Sequence, residues 1–390
     1  MLREVLNRRI LSAAARGARA HGTPFYLFDE SELVRQARAW RRAAETVAHA
    51  DLFYPYKCNR AAPVADLLAR EGLGAEVASS SDFEAASRRE LSGERIVIQG
   101  PSKEADLIDA GLQAGALFVA DGREDALAIL SRARALGVEP RYLLRLAPSS
   151  VSEDQRRFGL AAADLLALAR EIRGRRGQRA EGLAFHLGTG IASEAPYLRA
   201  LREAGEVSAA LARLGVPVRT LDLGGGFAAR TESRLDERGH PLAAARDPSD
   251  RLPDLALEAR RRVGSGLRLL FEPGRALASG SIHLVSRVAR IKQTRPRPIV
   301  YLDASCVSHA FFVARGRHPI AAIPRRRGTR RPVALAGPLG AGLDLFAPAA
   351  SLTPLAPGDL VVIGSVGAYN QNAASAWAGP VPALRRIMWT

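Results

Sequence analysis

The sequence predicts an α/β protein: a (β/α)8 barrel followed by a mostly β, barrel-like domain. Two observations predict it. Between about residues 25 and 275, eight short β-rich runs alternate with Ala/Leu/Arg stretches of helical character. Eight strand–helix units over that length match a closed parallel barrel. After Gly280 the helical texture stops, and alternating apolar runs are separated by Pro/Gly turns. A doubly wound sheet is the runner-up, because a strand count from one sequence is good to one or two.

The elements follow in order. The first 25 residues read as helix outside the barrel, and Tyr26-Leu27-Phe28 reads as a strand that joins the β domain. The barrel strands are placed at 51–57, 74–79, 95–100, 116–120, 141–147, 182–188, 219–225 and 268–274. The expected organisation is an N-terminal segment 1–28, a barrel 29–279 and a β domain 280–390. The polar stretch 227–252, after the seventh strand, is expected to be a surface excursion near the barrel mouth.

Composition narrows the class. Hydrophobic residues are 47% and charged residues 25% of 390, the balance of a globular chain. No window reaches the roughly 18 apolar residues of a membrane helix. The Arg-rich N-terminus lacks the apolar core of a secretory signal. Two cysteines, Cys58 and Cys306, make neither a disulfide framework nor a zinc site, so no metal is expected and a cytoplasmic location follows. The net charge of +16 invites a nucleic-acid reading. Its distribution argues otherwise: arginines are scattered along helical stretches, only 325–331 is a dense run, and the Arg/Ala bias resembles that of a GC-rich genome. Only Lys57, Lys103 and Lys292 are lysines, so a lysine behind an apolar run invites a chemical explanation.

Polar residues gather at the C-terminal ends of the expected strands, the face where such barrels carry their sites. They are Lys57 after the first, Glu76 on the second, His186 and Thr189 after the sixth, Gly224-Gly225-Gly226 after the seventh, and Glu272-Pro273-Gly274-Arg275 after the eighth. Singly, each has an ordinary reading: a snorkelling lysine, a core histidine, a tight turn, an ion pair. Jointly they describe pyridoxal 5′-phosphate. Lys57, after LFYPY, is expected to have its pKa lowered by desolvation and to attack an aldehyde. Glycine amides receive a phosphate, a carboxylate holds the pyridine nitrogen charged, and an imidazole faces the ring.

YPYKCN, FHLGTG, LDLGGGF, FEPGR, GPLGAGLD and VGAYN occur in order from about residue 23 onward. With them the chain resembles the fold-type III pyridoxal-phosphate-dependent decarboxylases, the group of diaminopimelate, ornithine and arginine decarboxylases. The resemblance implies a (β/α)8 TIM barrel and a C-terminal β domain that receives the N-terminal strand. It also implies a homodimer with shared active sites and an amino-acid substrate. It makes Lys57 the Schiff-base lysine, His186 the ring-stacking imidazole and Glu272 the pyridinium partner. Thr189, Gly224, Gly225, Gly226, Arg275 and Tyr369 become phosphate ligands, and Glu76 a residue near the ring. Arg157-Phe158-Gly159 matches the family's Lys-Phe-Gly segment.

The departures are informative. The family's Gly-Pro-x-Cys segment reads Gly337-Pro338-Leu339-Gly340 here, so glycine replaces the cysteine that protonates the substrate carbon. Ala341 stands where an acidic residue holds the substrate's distal amine, and Asp344 is read as structural. The arginine and tyrosine that grip a distal carboxylate are missing from Asp303–Phe312; Arg315 and Arg317 follow in different local sequence. Cys306 is read as a small buried residue or a substitute thiol. Cys58 is read as structural, turned from Lys57 by strand alternation.

The expectation is therefore an α-decarboxylase of specialised metabolism, such as siderophore or antibiotic biosynthesis. Racemisation, transamination or β-elimination with the same cofactor is the alternative. A non-catalytic regulatory homologue is a third reading, disfavoured by the complete cofactor set.

Overall fold

The computed structural model describes residues 6–151, 155–173, 180–229, 247–309, 318–324, 326–376 and 383–386. The chain forms two compact units: one of Gln36–Ala228 with the stretch ending at Gly274, the other of the chain up to Arg35 and from Arg275 onward.

Helix α1 (Arg8–His21) opens the second of these, capped by Asn7, whose side chain accepts the Ile10 N–H at 3.0 Å. Its buried face of Ile10, Leu11, Ala14 and Ala18 packs on β1 (Phe25–Phe28) together with Val285, Leu360 and Val362. Burying a side chain such as Ile10 or Leu11 contributes about 1.5–3 kcal/mol. After β1 comes α2 (Glu30–Glu45).

The barrel follows as β2 (Ala50–Pro55), α3 (Ala62–Arg70), β3 (Gly74–Val77), α4 (Ser80–Ser87), β4 (Ile96–Ile98), α5 (Ala105–Ala114), β5 (Leu117–Ala120), α6 (Arg123–Leu136), β6 (Arg141–Arg145), α7 (Ala162–Ile172), β7 (Gly182–Ala184), α8 (Ala195–Arg213), β8 (Thr220–Asp222), α9 (Leu252–Arg262) and β9 (Arg268–Phe271). The eight strands β2–β9 pair in parallel and close, with Leu52 of β2 opposite Phe271 of β9. Each overlaps one of the eight expected runs. The interior is a packed core of Phe53, Val97, Leu117, Val119, Leu143, Ala184 and Leu270. Gly182 permits a close strand approach: a Cβ there would lie 1.8 Å from the Thr220 carbonyl oxygen. The expected excursion at 227–252 falls largely on 230–246, outside the described residues.

The other unit contains α10 (Arg275–Ala278), β10 (Ile282–Lys292), β11 (Ile299–Leu302), α11 (Cys306–His309), β12 (Ile320–Ile323), β13 (Arg331–Ala336), β14 (Leu345–Leu352), β15 (Leu360–Ile363) and β16 (Leu384–Arg386). Its curled sheet runs β12-β15-β10-β11-β13-β14, with β1 antiparallel on β10 and β16 parallel on β1. The long β10 pairs with β15 along Leu284–Arg287 and with β11 along Val288–Lys292, bending at an irregularity between Val288 and Arg290. No described helix is long and apolar enough to cross a membrane.

Candidate active site at the barrel mouth

Strand register brings Lys57 and Glu76 together. Pro55 lies opposite Glu76, and the Tyr56 N–H continues the ladder to the Glu76 carbonyl at 2.9 Å. The chain then turns, the Cys58 N–H returning to the Pro55 carbonyl at 2.9 Å. Lys57 sits in that turn, its Nζ 2.9 and 2.8 Å from the two Glu76 oxygens. Two sequence expectations are corrected here. Strand alternation does not govern Cys58, because neither it nor Lys57 is on the strand; Cys58 is nonetheless buried, with its sulfur beside Gly274. Nor is the Lys57 pKa lowered. Desolvation pulls it down, but the carboxylates of Glu76 and Glu272 outweigh that, and the net direction is up.

The seventh and eighth barrel strands place the acids. Asp222 ends β8 opposite Leu270, and two residues further the Glu272 N–H donates to the Gly224 carbonyl at 3.0 Å. Both carboxyls are buried, Asp222 at 0% and Glu272 at 2% exposure. Asp222 Oδ1 accepts the Gly224 N–H at 2.8 Å. Gln99, just past β4, donates from Nε2 to Glu272 Oε1 and faces Asp222 Oδ2 at 3.4 Å. Burial raises the Glu272 pKa well above its ordinary range, and the neighbouring Asp222 and Glu76 charges add to that. Burial likewise pushes Asp222 up, to about 6. Pro273-Gly274 turns tightly behind Glu272: a Cβ on Gly274 would strike Pro55 at 2.7 Å.

The glycine loop cannot carry side chains. Gly224 and Gly226 have φ of 67° and 91°, where other residues are strained. A Cβ on Gly224 would lie 2.5 Å from the Phe185 oxygen, on Gly225 2.3 Å from the Glu272 oxygen, and on Gly226 2.5 Å from the Gly188 oxygen. The loop is fastened by Tyr197, whose hydroxyl donates to the Gly225 carbonyl at 2.7 Å, and by the Ile191 N–H on the Gly226 carbonyl at 2.8 Å. His186 Nδ1 accepts the Gly225 N–H at 3.3 Å. Burial, with the Lys57 and Arg145 cations nearby, pushes the His186 pKa down to about 3, so the ring is neutral. Thr189 is exposed in the same segment.

One unit thus brings together Lys57, Glu76, His186, the glycine loop and Glu272. Arg275 and Tyr369 lie in the other. There the Arg275 guanidinium sits 5.0 Å from the centre of the Tyr369 ring. Tyr369 has φ of 64°, a strained value for a bulky residue. Its segment is held by Ser279 donating to the Ser365 carbonyl and by Asn370 donating to the carbonyls of Val366 and Ala368. Asp344 has the structural role expected of it, accepting the N–H groups of Cys306 at 2.6 Å and Leu339 at 2.8 Å. Gly340 faces open space. Arg315 and Arg317 lie outside the described residues.

Sequence reasoning missed Gln99 and Arg145 as site residues and gave Asp222 no role. Arg145 is buried, donates to Asp121 at 2.8 Å and lies over the Phe158 ring at 4.9 Å. A charged residue inside the apolar run RYLLRLA was the available signal.

A model of the family described as pyridoxal-dependent decarboxylase, pyridoxal binding domain, matches residues 30–279. A diaminopimelate decarboxylase of Zymomonas mobilis subsp. mobilis is 29% identical over 377 residues, covering 92% of this chain and 86% of that protein. Two solved structures share the fold. Diaminopimelate decarboxylase from M. jannaschii in complex with L-lysine has a TM-score of 0.85 at 23% identity, over 96% of this chain and 89% of that one. Lysine/ornithine decarboxylase from Vibrio vulnificus in complex with cadaverine has a TM-score of 0.83 at 22% identity, over 98% and 100%.

Proposed function

The chain belongs to the fold-type III pyridoxal-phosphate-dependent decarboxylase family, and from that premise we propose that its barrel removes the α-carboxylate of an amino-acid substrate with pyridoxal 5′-phosphate held at Lys57. One observation carries this reading: a lysine, a neutral imidazole, a glycine loop and a buried carboxyl pair share one mouth of the barrel.

These residues fit the cofactor. The loop Gly224–Gly226 is bare backbone in places a Cβ would fill, as close approach by a phosphate requires. Lys57 is 43% exposed, whereas the Lys103 side chain is 0% exposed and fastened to Asp125, Gly100 and Val119. Lys292 ends β10 in the other unit, so Lys57 is the lysine at the barrel mouth available to the aldehyde. When bound, the cofactor supplies the electron sink for the pair left by the departing carboxylate.

Each side chain then has a task. Lys57 would be the amine that holds the cofactor's aldehyde and gives it up to the substrate amine. Glu76 keeps the freed Lys57 protonated, ready to return a proton to Cα. Glu272, beside Pro273 and Gly274, holds a proton at the ring nitrogen. Neutral His186 covers the ring face without adding charge. Gly224, Gly225, Gly226 and Thr189 would hold the phosphate, and the family resemblance gives Arg275 and Tyr369 the same task.

Gly340, Ala341 and the altered stretch from Asp303 favour a substrate other than diaminopimelate or ornithine, within specialised metabolism. The reading includes a homodimer with shared active sites. It also includes a cytoplasmic location, which two buried free cysteines favour. The test is a panel of amino acids given to the purified holoenzyme, with carbon dioxide release and product mass followed together. An amine product with stoichiometric carbon dioxide is expected. Turnover without carbon dioxide would overturn the reading.

A further inference from the structure

Asp222, the buried acid beside Glu272, takes no part in the chemistry assigned to the other residues, and any role for it rests on the cofactor reading of the barrel mouth. It is fully buried, and each of its oxygens has a distinct neighbour. Oδ1 accepts the Gly224 N–H, and Oδ2 faces the Gln99 amide that also donates to Glu272. Asp222 Oδ2 and Glu272 Oε1 converge on the one Gln99 amide nitrogen, so the two buried carboxyls lie side by side. Two buried carboxyls held this close do not both ionise, so the pair keeps one proton. The other charged groups facing the pair are Lys57 and Glu76, and these neutralise each other in their own ion pair. The shared proton therefore stays in the cofactor-free site.

We propose that Asp222 is a positioning residue acting through Glu272: the pair, fastened between Gln99 and the Gly224 amide, stores one proton that Glu272 passes to the ring nitrogen when the cofactor docks. Where the incoming ring nitrogen carries no proton, the Glu272 O–H bond would break, the N–H bond would form, and no proton would be drawn from solvent. Glu272 is left anionic against the new cation, while the Gly224 N–H and the Gln99 amide hold the Asp222 charge. One side chain thereby fixes both the group that meets the ring nitrogen and the loop that meets the phosphate.

The test counts protons. Full-length protein stripped of cofactor is titrated calorimetrically in alkaline buffers of different ionisation enthalpy, where the free cofactor's ring nitrogen carries no proton. The titrants are pyridoxal 5′-phosphate and an analogue with carbon in place of the ring nitrogen. Asp222→Asn keeps an oxygen for the Gly224 N–H, offers Glu272 an amide donor and removes the neighbouring charge that, after burial, most raises the Glu272 pKa, so Glu272 gives up its proton more readily. It should take up about one more proton per site than wild type with the cofactor, and an equal number with the analogue. Equal counts with both titrants would overturn the proposal and leave the cofactor reading intact. Failure of the wild type to bind the cofactor would overturn both. A second measurement needs no variant: infrared difference spectra of wild-type protein carrying isotope-labelled glutamate. The protonated-carboxyl band of Glu272 should vanish on adding cofactor and persist with the analogue. Its persistence in both cases would likewise overturn the proposal.

Discussion

Lys57 Nζ meets both oxygens of the Glu76 carboxylate, at 2.9 and 2.8 Å, across the register of the first two barrel strands. The pair holds the amine as an ammonium ion before cofactor arrives, whereas attack on an aldehyde needs the neutral amine.

Glu76→Gln removes the charge that raises the Lys57 pKa and keeps a hydrogen-bond acceptor. Cofactor uptake by the stripped enzyme should become faster near neutral pH, and its pH midpoint should move down. Each unit of displacement corresponds to about tenfold in rate below the midpoint. Stopped-flow absorbance against pH measures this, and an unmoved midpoint would show that Glu76 does not govern the amine.

Glu272→Gln should leave the cofactor bound, since the glycine loop and Lys57 are untouched. It should slow decarboxylation by on the order of 10²–10³-fold, because the group that holds the ring nitrogen's proton is gone. Unchanged turnover with full cofactor occupancy counts against the assignment.

His283 is buried on β10 and accepts the Ser365 N–H at 3.4 Å. Burial pushes its pKa down from 6.5 to about 4, with Asp29 opposing. An unfolded chain takes up a proton that the folded chain refuses. Its stabilising contribution is thus complete above pH 6.5 and lost as pH falls towards 4. His283→Gln should remove about 2 kcal/mol of the stability lost between roughly pH 7 and 5, measured by chemical denaturation. Equal losses in the two proteins would contradict the burial argument.

Gly340→Cys should fold normally, since a Cβ there meets nothing within 4 Å. On the reading that the glycine is adapted to the substrate, activity on the true substrate should fall. The ratio of amine product to pyridoxamine phosphate decides the matter. A higher amine yield without loss of substrate affinity would mean that the missing thiol is only a defect.

The barrel was legible because each strand is an apolar run ended by turn residues, as in RIVIQG and RTLDLGG. The chemistry was legible where unusual residue types stand in unusual company, as with Lys57 behind LFYPY or three consecutive glycines after β8. Register was not legible. Only pairing shows that Pro55 lies opposite Glu76 and that Asp222, Glu272 and Gln99 converge from three strands. The direct contact of Glu76 with Lys57 reverses the expected direction of the Lys57 pKa: both acids were read on the same rim, but not which of them meets the amine. Gln99 has no periodic signature, since one buried amide after IVI reads like any strand end.

Attachment of the cofactor to Lys57 is the claim on which the other assignments depend. Borohydride reduction of the purified holoenzyme, followed by peptide mass mapping, tests it most directly. One pyridoxyl group is expected on the peptide containing Lys57 and none elsewhere. A label on Lys103 or Lys292, or no label on protein that is fully loaded with cofactor, would contradict it.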